Sequence, residues 1–253
     1  MLRWFAALLA AAPALAGAQQ LLDFPKDLAF GREVVETLAE RVYRERLRAL
    51  GTDGRLDADQ ALLRRLRRIV AQLGSAAEHE RLRAVPLAWE VHVCRRCDEN
   101  AAAMAGGRLL LGEEFVATLA LSDDELGYLL AHEMAHVLAE HTREYASSAR
   151  FFVGRGHARE YEDLQRELDE SIGLQLRMAF LSAQQELEAD YVGFILGARA
   201  GFEPGAMLTL LHKLRADGTA LVGSHPSDER RLRQAEAMLE TARRIHGRSA
   251  SSF

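Results

Sequence analysis

Two histidines and a glutamate stand together in His132-Glu133-Met134-Ala135-His136, the spacing H-E-x-x-H. On a helix, residues four apart lie about 40° from one another around the axis, so His132 and His136 can offer their imidazoles to one metal ion. Glu133 then stands beside that ion, placed to take a proton from a bound water. Core histidines satisfied by hydrogen bonds are the competing reading, and the cost of burying several polar groups weighs against it. Catalytic zinc sites use three protein ligands and keep a fourth position open, so a third ligand must come from elsewhere. The segment Gln185-Glu186-Leu187-Glu188-Ala189-Asp190 offers one. On a helix Glu186 and Asp190 share a face, and Glu188 points away by roughly 160°. This predicts Glu186 on the metal, Asp190 accepting a hydrogen bond from a ligand imidazole, and Glu188 on the surface. Taken alone, the segment reads equally well as a charged, solvated helix face.

The elements around these residues are legible too. Ser122-Asp123-Asp124-Glu125 has an N-cap serine and, three positions on, the glutamate of a capping box, so a helix starts about ten residues before the motif. Leu126, Leu129, Leu130, Met134, Val137 and Leu138 recur at helical spacing and bury that helix. Upstream, Val34, Val35, Leu38, Val42 and Leu47 mark a helix over 28–50 that ends at Gly51-Thr52-Asp53-Gly54, and a second runs over 58–73. Its Arg64, Arg65, Arg67 and Arg68 read as a solvated face, with contacts to an anionic partner as the alternative. Leu87, Trp89, Val91 and Val93 alternate with polar or small residues as a strand does, and Arg108-Leu109-Leu110-Leu111 after Gly106-Gly107 is a second strand. Together they predict a small antiparallel sheet just before the metal helix, where a substrate could add as a further strand. The fold class expected is α+β, predominantly helical: a zincin-like helical domain with a small antiparallel sheet beside the H-E-x-x-H helix.

Composition limits the rest. A chain of 253 residues with 49% hydrophobic residues can bury one sizeable core, and 32 basic against 37 acidic residues argue against a nucleic-acid surface. Arg3, the apolar run Trp4 to Ala16 and the small residues Ala16-Gly17-Ala18 read as a signal peptide over 1–18. That leaves 19–253 as a single domain, exported to the periplasm, with an uncleaved membrane tether as the alternative. Cys94 and Cys97, the only cysteines, are expected to form a small-loop disulfide, with free thiols or a redox pair as the alternatives. His141 lies about 140° around a continuous helix from His136 and is expected to pack or face solvent. Phe151 to His157, rich in glycine, reads either as a lid over the cleft or as an ordinary connecting loop.

Taken jointly, H-E-M-A-H, Glu186-Leu187-Glu188-Ala189-Asp190, Asn100-Ala101, Gly106-Gly107-Arg108, and Ser224-His225-Pro226 through Arg231 resemble the forty-eighth family of metallopeptidases. This is the group of HtpX, Oma-type and CAAX prenyl proteases, and the resemblance is greatest to soluble periplasmic members of the BepA kind, here without a tetratricopeptide array. It implies one Zn2+ on His132, His136 and Glu186, and catalysis by Glu133. The substrate implied is a misfolded or unassembled envelope polypeptide. An alternative is a chaperone or assembly factor for outer-membrane proteins, working with their assembly machinery, its zinc site plugged. The resemblance also brings His225 near the metal, either as a plug or as a donor to the oxyanion. Arg231 pairs with a nearby acid or contacts substrate.

Overall fold

A computed structural model of the chain describes residues 28–83, 86–153, 160–217 and 229–250. Helices α1 (Arg32–Thr52) and α2 (Gln60–His79) precede strands β1 (Glu90–Cys94), β2 (Ala101–Met104) and β3 (Arg108–Gly112). The chain continues through α3 (Glu113–Thr118), α4 (Asp123–Leu138), α5 (His141–Ala149), α6 (Tyr161–Glu170), α7 (Ile172–Arg199), α8 (Gly205–Asp217) and α9 (Glu229–Ala250). The architecture is thus α+β and mostly helical.

Helix α4 begins where its sequence says it should. The Ser122 hydroxyl accepts the Glu125 amide at 3.2 Å, and the Glu125 carboxylate accepts the Ser122 amide at 2.7 Å, which satisfies donors that helix geometry leaves bare. Lys213 of α8 donates to the same carboxylate at 2.8 Å and ties the start of α4 to its neighbour. Beyond the cap, every apolar residue of α4 is buried, because the helix runs through the middle of the molecule. Helices α2, α7 and α8 and strand β2 all pack against it. A helix apolar on all sides has no solvent face to offer, so the polar groups it carries must find partners inside.

The sheet differs from the expected antiparallel pair. Its order is β1-β3-β2; β1 and β3 run parallel, with Val91 opposite Leu109, and β2 pairs antiparallel with β3, Ala102 opposite Leu110. The missing element was β2, whose Ala-Ala-Ala-Met has no strand signature of its own. It is held in place by a hairpin through Gly106 and Gly107, at φ +87° and +86°, a conformation that side chains rarely adopt. The run Leu109-Leu110-Leu111 is apolar throughout because both faces of β3 are covered. Leu109 and Leu111 join the main core with Val91 and Val93, and Leu110 lies under Tyr43, Leu47 and Leu50 of α1. Cys94, the last residue of β1, and Cys97 form the expected disulfide. In α1 the buried side is Val35, Tyr43, Leu47 and Leu50, whereas Val34 and Val42 are exposed.

Helix α7 carries the second half of the candidate site. From Gln185 to Ala198 most of its side chains are buried, and it crosses α4 so closely that a Cβ on Gly193 would lie 2.9 Å from both Cα and N of His132. Only a residue without a side chain allows that approach, and the approach places Glu186 and Asp190 against the two histidines of α4.

Candidate metal centre

His132 and His136 lie one turn apart near the end of α4, and their Nε2 atoms are 3.1 Å apart. Glu186 comes from α7 to complete a triangle: Oε2 lies 3.5 Å from His132 Nε2, and Oε1 lies 3.5 Å from His136 Nε2. Bonds of about 2.0–2.2 Å to a tetrahedral zinc ion separate ligand atoms by about 3.3–3.6 Å, close to the spacing of these three donors. Two imidazole nitrogens and a carboxylate oxygen in a buried pocket therefore suit a borderline metal, and the three residues form a group able to hold one. Cys94, Cys97 and Glu99 also cluster, but the disulfide uses both sulfurs. Glu133, on α4 between the histidines, is 3% exposed.

Behind the triangle is a second layer of charge. Asp190 Oδ1 is 3.0 Å from Nδ1 of His132, so the nitrogen of that ring remote from the cluster faces a carboxylate. Arg231, from α9, grips Asp190 with Nε at 2.6 Å and Nη2 at 2.7 Å, and its Nη1 reaches Glu186 Oε2 at 3.1 Å. All of this is dry: Asp190 is 2% and Arg231 4% exposed. Burial pushes the Asp190 carboxyl up, but Arg231 and then His132 outweigh it and hold the group below the ordinary carboxylate range. For His132, burial opposes the charged ring, yet Asp190 and Glu186 more than offset this and lift its pKa to about 9 in the protein's own field. Such a pocket attracts positive charge, whether a proton or a metal ion. Arg231, expected either to pair with an acid or to contact substrate, is in the ion pair.

One residue packs where helical spacing alone would not bring it, and one lies elsewhere than expected. Helix α4 ends at Leu138, Glu140 adopts a left-handed conformation at φ 57° and ψ 35°, and α5 starts at His141. The break brings His141 Nδ1 to 2.8 Å from His136 Nδ1, and of the two expectations for His141, packing is the one met, at 3% exposed. Glu188 is correspondingly not a surface residue. Its side chain is 10% exposed, with Oε2 at 3.5 Å from His141 Nε2, because α5 packs over that side of α7. The sequence held one hint, a third histidine after the motif, but no Gly, Pro or Asn to announce the turn. His225 and residues 154–157 of the expected lid lie outside the described residues, as does the segment 1–18.

Residues 60–239 match the sequence profile of Peptidase family M48. The mitochondrial metalloendopeptidase OMA1 of Schizosaccharomyces pombe is 31% identical over 189 residues, which cover 70% of this chain and 52% of the relative. OMA1 of Saccharomyces cerevisiae is 29% identical over 65% of this chain and 51% of its own length. OMA1 of Arabidopsis thaliana is 31% identical over 61% of this chain and 33% of its own. The chain thus spans about half the length of the fungal relatives that it matches. These relatives are mitochondrial proteins, which overturns the periplasmic location expected from the first residues. One arginine ahead of an apolar run is a compositional signal, and it does not carry the identity of a compartment. Among the described residues no helix is long and apolar enough to cross a membrane.

Proposed function

This chain belongs to peptidase family M48, and we propose that it is a zinc-dependent endopeptidase cutting extended stretches of unfolded or unassembled polypeptide. The observation that carries this reading is the convergence of His132, His136 and Glu186, with Glu133 buried between the two histidines on the same helix. Zinc held by those three side chains would supply a Lewis acid for the scissile carbonyl and would acidify a water. Glu133 takes a proton from the attacking water and later gives it to the departing amine, a role that suits a carboxylate fixed beside the reacting groups. Asp190 keeps a proton on Nδ1 of His132, which leaves the Nε2 lone pair for the cluster, and Arg231 keeps Asp190 ionised for that task. Bulk water is kept from this side of the pocket by the apolar packing of α4 against α7.

The sheet suggests how a substrate is presented. Among the described strands β2 pairs only with β3, and it lies along α4. An extended peptide hydrogen-bonded to the open edge of β2 would run past the metal helix as an added strand, with the small side chains of Ala101 to Ala103 leaving room for it. Folded proteins do not offer such a backbone, so unfolded chains are preferred. The test is metal removal and return. Stripping with a chelator should end digestion of a reduced, unfolded protein, and one equivalent of zinc should restore it. Magnesium, which wants octahedral oxygen ligands, should not. Undiminished digestion after stripping, or rescue by magnesium, contradicts the proposal.

A further inference from the structure

The two histidines of the triangle are supported differently. His132 is backed by the Asp190 carboxylate, whereas His136 is backed by another imidazole, that of His141. The His136 and His141 rings meet edge to face, with centroids 4.8 Å apart and planes at 76°. His141 does not arrive there by helical periodicity. Glu140 must take a left-handed backbone to turn the chain, and its carboxylate is held by Arg143 at 2.6 Å and by Arg32 Nε at 2.8 Å. The first turn of α5 is then fastened to the ligand helix: the Gln185 amide donates to the His141 carbonyl at 3.2 Å and to Glu144 at 2.9 Å. Gln185 is the residue directly before Glu186.

Counting protons fixes the direction of the chain. A neutral imidazole has one N–H and one acceptor nitrogen. His136 turns Nε2 towards His132 and Glu186, so as a ligand it must carry its proton on Nδ1. That N–H lies 2.8 Å from His141 Nδ1, and a nitrogen that accepts it bears no proton of its own. The proton of His141 then sits on Nε2, which faces Glu188 Oε2 at 3.5 Å. The order is ligand His136, then His141, then Glu188, and Glu188 belongs to the same helix as Glu186.

We propose that His141 is a positioning residue for the metal centre: it fixes the tautomer and ring orientation of His136 and, through the Gln185 amide on its carbonyl, is tied to the helix supplying Glu186. The proposal rests on the reading of His132, His136 and Glu186 as metal ligands. Partners of this kind, when removed, typically lower metal affinity by about 10–100-fold.

The test uses the whole chain and reads zinc affinity by competition with a chelating dye. His141→Leu, which fills the space but accepts no hydrogen bond, should bind zinc about 10–100-fold more weakly. His141→Asn, whose amide oxygen can stand where Nδ1 stood, should recover most of that loss. Cobalt-loaded protein should show an altered visible spectrum in the leucine variant and a near-native one in the asparagine variant. Nitrogen NMR of the wild type gives a readout independent of either variant's folding: His136 should carry its proton on Nδ1 and His141 on Nε2. Zinc bound as tightly by His141→Leu as by wild type overturns the proposal. So does an equal loss in both variants, which would mean packing alone, and so does the reverse pair of tautomers. A wild-type chain that takes up no zinc refutes the metal-centre reading itself, and with it the role of His141.

Discussion

Gly193→Ala adds one methyl group at the crossing of α4 and α7, and two effects of opposite sign decide its outcome. Alanine is the better helix former by about 1 kcal/mol, which favours the variant. The new Cβ, however, would lie 2.9 Å from Cα and N of His132 and 3.0 Å from the carbonyl carbon of Ala131. Carbon atoms rest comfortably at about 3.5–4.0 Å, so the helices must part by roughly 0.6–1 Å. Backbone atoms cannot rotate aside as a side chain could. Overpacking of this sort costs about 1–3 kcal/mol, and a gap of that width forfeits a quarter to a half of each neighbouring contact. With the cost at its middle value of about 2 kcal/mol, a net loss of about 1 kcal/mol is expected, and at the upper end about 2 kcal/mol. The same shift carries Glu186 away from the histidines by several times the roughly 0.2 Å that metal geometry tolerates, so zinc affinity should fall at least about tenfold. Gly247→Ala is the control, because a Cβ there meets nothing within 4 Å and only the propensity gain remains. Urea denaturation of the metal-free proteins, with zinc competition on each, measures both quantities. If Gly193→Ala proves as stable as Gly247→Ala and binds zinc normally, the close-approach reasoning is wrong.

Two other perturbations follow from the buried charges and the sheet. Asp190→Asn leaves the Arg231 guanidinium, 4% exposed, without its carboxylate fork. Denaturation should show a loss of about 3–5 kcal/mol, and zinc affinity should drop about 10–100-fold. Pairing Asp190→Leu with Arg231→Met should restore much of the stability but not the affinity. On β1, hydrogen bonds from Arg44 bring the Glu90 pKa down from 4.5 to about 2. A group with a depressed folded pKa stabilises above its unfolded value and loses that contribution as pH falls through the folded one. Glu90→Gln should therefore cost about 1–2 kcal/mol at pH 7, after allowance for its partial exposure, and almost nothing near pH 2. A difference from wild type that stays constant between pH 7 and pH 2 would argue against the ion pair.

Local sequence specified some parts of this site and not others. The start of α4 was legible because its signal is chemical and near in sequence: Ser122 and Glu125 satisfy each other's backbone donors. The shared face of Glu186 and Asp190 follows from helical spacing, and the structure places both against the histidines. The turn at Glu140 was invisible, since Leu138, Ala139 and Glu140 are all good helix formers and the break is held by arginines from residues near and far in the chain. Glu188 was misplaced, and the approach of His141 to His136 missed, for that one reason. Strand β2 was missed on similar grounds, because three alanines and a methionine become a strand only through pairing with β3. The apolar Val34 and Val42 belonged to the helical pattern of α1 yet face outwards, since packing uses the side marked by Val35 and Tyr43.

In the proposed function, His132, His136 and Glu186 hold one zinc ion on which Glu133 depends for peptide hydrolysis. Metal analysis of purified wild-type and Glu133→Gln chains, paired with digestion of an unfolded protein by each, tests it most directly. One zinc per chain is expected in both proteins, with digestion by the variant lower by about a hundredfold or more. Digestion by Glu133→Gln at the wild-type rate, or a wild-type chain without zinc, would contradict it.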